Sequence, residues 1–482
     1  MPAPDPTPYP LDHLPGRGAP GAPALVDRAG MLDYVGLERA TAALALALDR
    51  RGLTRGDRVV SWLAKTRLAA LLPLACARAG LVHVPANPLL KRGQIAHILA
   101  DSGAALLIED EEGAALLAQG DGLPASAADP DALAAILYTS GSTGRPKGVM
   151  LSHANLWLGA VGVAAYLKLA PSDRILAVLP FSFDYGQNQL LSSWAAGAAA
   201  FPLDYLTPRD VIRAVERHAI TTLAGVPPLW VQLAEATWPE AVARRLKRLT
   251  NSGGALSAPL VARLRALFPE AALYAMYGLT EAFRSTYLDP ALIDAHPDAI
   301  GDAVPFAELF VLRPDGSPAA AGEPGELVHA GPLVAQGYWN DPVRTAARFR
   351  PAPAFARAGG MAVWSGDTVV RGADGLLRFV GRDDDMIKSA GNRISPGEIE
   401  ECALASGLAR EVVALGRADA RLGQSIVLVV RGRAADEPAL KSWLRRELPG
   451  FMQPHAIVWR DALPRTANGK LDRAALRAEH AS

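Results

Sequence analysis

The densest chemistry in the chain lies between Tyr138 and Gly148: hydroxyls at Thr139, Ser140, Ser142 and Thr143, glycines at Gly141, Gly144 and Gly148, and a cation at Lys147. Glycines remove side chains so that backbone N–H groups approach phosphate oxygens, and the hydroxyls and the lysine add donors and positive charge. This composition suits a polyphosphate cradle. It is not the Walker A loop, because Gly144 is followed by Arg145 where that motif needs Lys and then Ser/Thr. A plain Ser/Gly turn has the same composition.

Other chemistry-bearing residues carry two readings each. Alone, Glu281 in Leu-Thr-Glu reads as a helix-start carboxylate favoured by the dipole, and Lys470 reads as a solvated lysine. Tyr277 alone is a packing residue, Gly254 and Ala255 a turn, and Asp367 and Arg382 surface charges. Asp184, in Phe181-Ser-Phe-Asp-Tyr-Gly, either caps a helix starting at Tyr185 or is a buried carboxylate in need of a cation, which a substrate amine would supply.

Read in order, five segments resemble the core motifs of the adenylate-forming superfamily: the loop above, Tyr277-Gly-Leu-Thr-Glu281, Ser365-Gly-Asp367, Gly381-Arg-Asp-Asp-Asp-Met-Ile-Lys-Ser-Ala-Gly391 and Pro464-Arg-Thr-Ala-Asn-Gly-Lys470. That group includes AMP-forming acyl-CoA synthetases, amino-acid adenylation domains and luciferases. The resemblance spans nearly the whole chain, and five ordered motifs are far more specific than one. It implies that a carboxylate is joined to ATP with release of pyrophosphate, and that the acyl group then passes to the thiol of CoA.

The resemblance also implies roles. Thr139, Ser140, Gly141, Ser142, Thr143, Gly144 and Lys147 would hold the phosphates, and Lys470 would bridge carboxylate and α-phosphate. Thr280 would lie near the reacting phosphate, and Glu281 would help hold Mg²⁺, a hard ion suited to oxygen ligands. Tyr277, Gly278, Gly254 and Ala255 would flank the adenine, while Asp367 and Arg382 would reach the ribose. Asp384 would be the hinge about which a small C-terminal domain rotates, bringing Lys388 and Gly391 to the thiol side. Gly253, Asp184 and Trp230 would belong to the acid's pocket, with the indole shortening it. Arg284, three residues past Glu281, would meet a carboxylate or phosphate of the substrate, or form a structural ion pair.

In amino-acid adenylating relatives the residue at Asp184 pairs with the substrate's α-ammonium, which keeps a second reading open: a stand-alone enzyme loading a carrier-protein phosphopantetheine thiol. Against it, the segments around Phe181, Asn251 and Tyr277 look most like acyl-CoA ligases found with bacterial exosortase loci. A catalytically silent nucleotide-binding scaffold is a third reading. Retention of Lys470, Glu281, Asp367 and Lys147 argues against it.

The elements that must position these groups follow from periodicity. Helical and strand patterns alternate from Tyr34 to about Ile108, and again past Arg174 and Ile220, which predicts βαβ units around largely parallel sheets. Near Gly375 the texture turns to tight turns and charge, predicting a boundary at 381/382. Beyond it, a helix at Ser395–Leu404, strands at Glu411–Leu415 and Ser425–Val430, a helix around Leu440–Leu448 and a strand at Ala456–Trp459 predict a small α+β domain. The expected architecture is α/β: residues 1–381 as the AMP-binding domain and 382–482 as a mobile C-terminal domain.

At 482 residues the chain exceeds one core. With 49 basic and 49 acidic residues, no global field favours nucleic acid. Two cysteines, Cys76 and Cys402, with no CxxC or Cys/His spacing, give neither a disulfide framework nor a structural zinc site. The start, Met1-Pro-Ala-Pro-Asp-Pro-Thr-Pro, has no signal-like h-region, so the cytoplasm is expected. Val149–Leu167 and Tyr185–Leu203 lack charges but carry Ser152, His153, Asn155, Gln187, Asn188 and Gln189, and they read as buried helices rather than membrane spans.

Overall fold

The structure is a computed structural model and describes residues 4–109, 122–139, 146–382, 387–389, 392–419, 422–448 and 450–480. Among them, three sheets organise the chain. The strand Arg58–Trp62 pairs in parallel with Val82–Ala86 and with Leu106–Glu109. Their connecting helices, Arg67–Ala79 and Arg92–Ser102, make the βαβ units that the alternation predicts. The same sheet continues into the antiparallel pair Leu133–Thr139 and Lys147–Ser152, so the glycine-rich loop joins two adjacent strands.

The largest sheet has a parallel centre of Arg174–Ala177, Thr222–Gly225, Arg248–Asn251 and Ala272–Tyr277. It continues through antiparallel strands to Met361–Arg371 and Leu377–Arg382. The two charge-free stretches form the helices His153–Tyr166 and Asp184–Ala195, packed against each other in the core. Their apolar residues are shielded by protein; no described helix is long and apolar enough to cross a membrane.

The third sheet lies wholly beyond residue 386, with its own apolar cluster around Ile399, Leu428, Val430, Leu440 and Leu444. Its elements match the predicted order: helix Pro396–Ala405, strands Ala409–Asp419 and Gly423–Gly432, helix Glu437–Glu447 and strand Ala456–Arg460. Separate cores explain the two-part architecture, because each buries its own apolar face.

Candidate active site

Most of the residues that the motifs single out converge on one cleft of about 690 Å³ between the large and small domains. Lys147, Gly253, Gly254, Ala255, Tyr277, Gly278, Thr280, Glu281, Asp367 and Lys470 all line it, together with Thr139. A larger hollow of about 970 Å³, walled by Lys65, Arg67, Asp204 and Arg213 among others, contains none of the motif residues. Chemistry therefore favours the smaller cleft.

Strand ends supply the floor. Ala272–Tyr277 runs into a short 3₁₀ turn, Thr280–Ala282, that lifts Thr280 and Glu281 into the cleft. The parallel neighbour Arg248–Asn251 ends at the Gly253–Gly254 turn, where Gly253 takes a φ of +80°, a conformation that favours glycine. Ligands in parallel sheets gather at such carboxyl ends.

Glu281 is the electrostatic centre of the cleft. Lys147 Nζ donates to its Oε1 at 2.8 Å and to Tyr338 Oη at 2.9 Å, and Tyr338 donates to the same carboxylate at 2.6 Å. Burial alone would raise the carboxyl's pKa, but the Lys147 charge and these bonds outweigh it and hold Glu281 below the usual range. Tyr338 carries no motif signal, and its place was not legible before the fold. Its strand, Gly337–Tyr338, pairs with the one that carries Lys147.

Tyr277 donates its phenolic hydrogen to Asp367 across the far side of the cleft. Asp367 sits opposite Arg382 on paired strands, Met361–Arg371 and Leu377–Arg382. Lys470 comes from the small domain on a tight turn closed by Thr466 N to Lys470 O (2.8 Å) and Gly469 N to Thr466 O (2.9 Å), with Gly469 at φ +79°. Its ammonium stands 4.6 Å from the Phe183 ring centre. Asn87 Nδ2 holds that turn by donating to Ala467 O at 2.9 Å and Asn468 Oδ1 at 3.0 Å.

Asp184 corrects the capping alternative. The helix begins at Asp184 itself, with Phe183 as its uncapped N-terminal neighbour, and the carboxylate turns inward to Arg284 Nη1 at 3.0 Å. Both side chains are 3% exposed. A protein guanidinium thus occupies the place that a substrate ammonium would take. Trp230 is fully buried, with its indole packed against Gly225, and it lines neither the cleft nor the small hollow beside Arg284. Ser140, Gly141, Ser142, Thr143, Gly144, Asp384 and Gly391 lie outside the described residues, and Lys388 falls in the strand Ile387–Ser389.

A magnesium ion bound by triphosphate oxygens needs few protein ligands. Among the described residues no cluster of three or more His, Cys, Asp or Glu side chains could hold a metal alone. Glu281, a carboxylate lining the cleft beside Lys147, fits an ion held mainly by its substrate.

Residues 15–339 match the AMP-binding enzyme family, and residues 398–470 match the AMP-binding enzyme C-terminal domain. Feruloyl-CoA synthase from Amycolatopsis sp is 33% identical over 481 residues, covering 94% of this chain and 95% of that protein. A linear gramicidin synthase from Brevibacillus parabrevis is also 33% identical, over 95% of this chain but only 9% of that longer protein. The ATP-bound structure of MatB from Rhodopseudomonas palustris is similar with a TM-score of 0.89 at 25% identity, covering 99% of both chains. A benzoate CoA ligase from Burkholderia xenovorans LB400 gives 0.87 at 25% identity over 97% and 100% of the two chains. The chain belongs to the AMP-binding enzyme family, in both its large and its small domain.

Proposed function

We propose that the protein is an AMP-forming acid–thiol ligase, which adenylates a small carboxylic acid with ATP and then transfers the acyl group to CoA. The observation that carries this reading is that Lys470 of the small domain lines the same cleft as Lys147, Glu281, Tyr277 and Asp367 of the large one. An anionic carboxylate must approach a phosphorus ringed by negative oxygens, so neutralising charge is the main catalytic task.

Each residue then has a task. Lys470 draws carboxylate and α-phosphate together, Lys147 and the glycine-rich loop hold the outer phosphates, Asp367 accepts from the ribose hydroxyls with Arg382 approaching the same sugar, and Tyr277 flanks the adenine with Gly278, Gly254 and Ala255. Thr280 donates near the reacting phosphate. Magnesium, held in part by Glu281, would supply further positive charge to the phosphate oxygens. ATP therefore competes with Glu281 for Lys147, and its arrival releases the carboxylate. After pyrophosphate leaves, rotation about Asp384 at the 381/382 boundary would withdraw Lys470 and bring Lys388 and Gly391 to the thiol.

The narrower likeness to exosortase-associated acyl-CoA ligases remains part of this proposal, carried by the segments around Phe181, Asn251 and Tyr277. Two free cysteines, Cys76 and Cys402, support action in the reducing cytoplasm. The second reading, an amino-acid adenylating enzyme that loads a carrier protein, has the gramicidin synthase likeness in its favour. The Asp184–Arg284 pair weighs against it.

Pyrophosphate release with ATP, Mg²⁺ and a panel of acids, followed by thioester detection with CoA, tests the reading. Lys470→Ala should remove most adenylation while sparing thioester formation from supplied acyl-AMP. Equal loss of both half-reactions overturns the assignment of Lys470.

A further inference from the structure

Next to the cleft, and sharing Met276 with it, lies a small hollow of about 20 Å³. Its wall is largely apolar, with Val163, Leu169, Ile175 and Met276, but Arg284, Asn188, Thr222, Thr250 and Tyr185 also line it. Tyr185 and Thr250 satisfy each other, with Tyr185 Oη 2.6 Å from Thr250 Oγ1. The others do not. Among the described residues, Arg284 Nε and Nη2, Asp184 Oδ1, Asn188 Oδ1 and Thr222 Oγ1 are buried without a hydrogen-bond partner. Tyr166 lies close enough to feel the guanidinium, but its hydroxyl donates to Met276 Sδ at 2.9 Å.

Arg284 is aimed by strain. Phe283 takes a φ of +55° and a ψ of −56°, and Arg284 N donates to Ala282 O at 2.6 Å, a tight three-residue turn that bulky residues rarely make. Gly159 makes room for the displaced ring, because a β-carbon there would stand 2.1 Å from Phe283 Cε1. The result is a guanidinium, 2% exposed, that spends Nη1 on Asp184 and Phe283 O and keeps its Nε–Nη2 edge unbonded. Burying such donors unmet is costly, so a partner there is favoured.

Resting on the ligase reading, we propose that the acid is a short hydroxy-acid whose hydroxyl oxygen accepts from the Nε–Nη2 edge of Arg284. Charge balance selects this class. Asp184 and Arg284 are already neutral as a pair, so an added ammonium or second carboxylate would bury an unpaired charge, which is strongly disfavoured. A hydroxyl is neutral, accepts from Arg284, and donates to Asn188 Oδ1, both of which line the hollow. Size agrees as well, since the hollow has room for one group about as large as a water molecule.

The test is pyrophosphate release by the full chain with ATP and Mg²⁺ on short acids matched in length: unsubstituted, hydroxylated, aminated and dicarboxylic. The hydroxylated acid should exceed its unsubstituted parent in kcat/KM by about a hundredfold or more. Arg284→Met should collapse that ratio to within a few-fold, and the ratio is independent of how much of a variant folds. Should Arg284→Met not fold, the Asp184→Asn/Arg284→Gln pair, which replaces ions by amides, gives the same readout. Equal use of all four acids, or preference for the aminated or dicarboxylic one, overturns the inference and leaves the ligase reading standing. No release with any acid overturns both.

Discussion

Lys470 and Gly253 share one space: a β-carbon on Gly253 would stand 2.5 Å from Lys470 Cε and 3.1 Å from its Nζ. The glycine is therefore a groove for the incoming lysine as well as a turn. Gly253→Ala should displace the ammonium and lower adenylation about ten- to a hundredfold, with thioester formation from supplied acyl-AMP little changed. Comparing the two half-reactions on one preparation removes any effect of altered folding. Adenylation within twofold of the parent would refute the groove.

The Lys147–Glu281–Tyr338 cluster should stabilise the nucleotide-free enzyme. Lys147→Met strands a buried carboxylate, and removing one partner of such a pair costs about 3–5 kcal/mol when burial is complete, less at this partly open cleft. Restoring neutrality with Lys147→Met/Glu281→Gln should recover part of the lost Tm. A double-mutant cycle by thermal melting measures the coupling, and additive effects would show that the pair contributes nothing.

Glu235 fastens the two domains. It meets Arg410 at 3.5 Å and Arg431 at 3.4 Å, both on the small domain. Partly exposed ion pairs contribute about 0–1 kcal/mol each. Glu235→Gln should therefore slow adenylation by no more than about fivefold while leaving the thiol step unchanged or faster. An unaltered ratio of the two half-reactions would show that the pairs do not bias the domain arrangement.

Acid should destabilise the protein before its carboxylates titrate. His83 and His329 are fully buried, and burial pushes each imidazole from 6.5 down to about 3. Between those values the unfolded chain binds more protons than the folded one, so stability falls as pH drops below about 6.5, by up to ~1.4 kcal/mol per pH unit for each histidine. Glu281 acts lower down: its depressed pKa adds stability above about 4.5 that is lost as pH falls through the folded value. His153, held down to about 4 by burial, adds to the same slope, so His329→Gln, which can keep a bond to Ser285 Oγ (3.0 Å from the native Nδ1), should reduce it by about a third between pH 6 and 5. An unchanged slope in denaturant melts would exclude His329 as the group responsible.

Local pattern made the alternating strands and helices legible, because periodicity is a property of neighbouring residues. The small domain's helices and strands fell within a few positions of their expected places for the same reason. The ordered motifs named Glu281, Asp367 and Lys470, although alone the first reads as a helix-start carboxylate and the other two as surface charges. What stayed hidden depends on distant parts of the chain. Asp184 and Arg284 lie 100 positions apart, so their pairing replaced the capping alternative only once the fold joined them. Tyr338 reaches Glu281 through a two-residue strand that has no periodicity to read. Asn87 meets Ala467 and Asn468 across more than 370 positions. Trp230 looked like a pocket wall from its neighbours, yet its ring spends its surface on Gly225 and the core.

The strand Leu377–Arg382 belongs to the large sheet, and the small sheet starts at Ile387 on the same chain. In the proposed mechanism, delivery of the Lys470 charge is therefore a unimolecular event within one chain, with a local concentration fixed by geometry and not by dilution. Supplied as a separate polypeptide, the small domain would make the same step second-order, and the rate would then scale with how much of it is added.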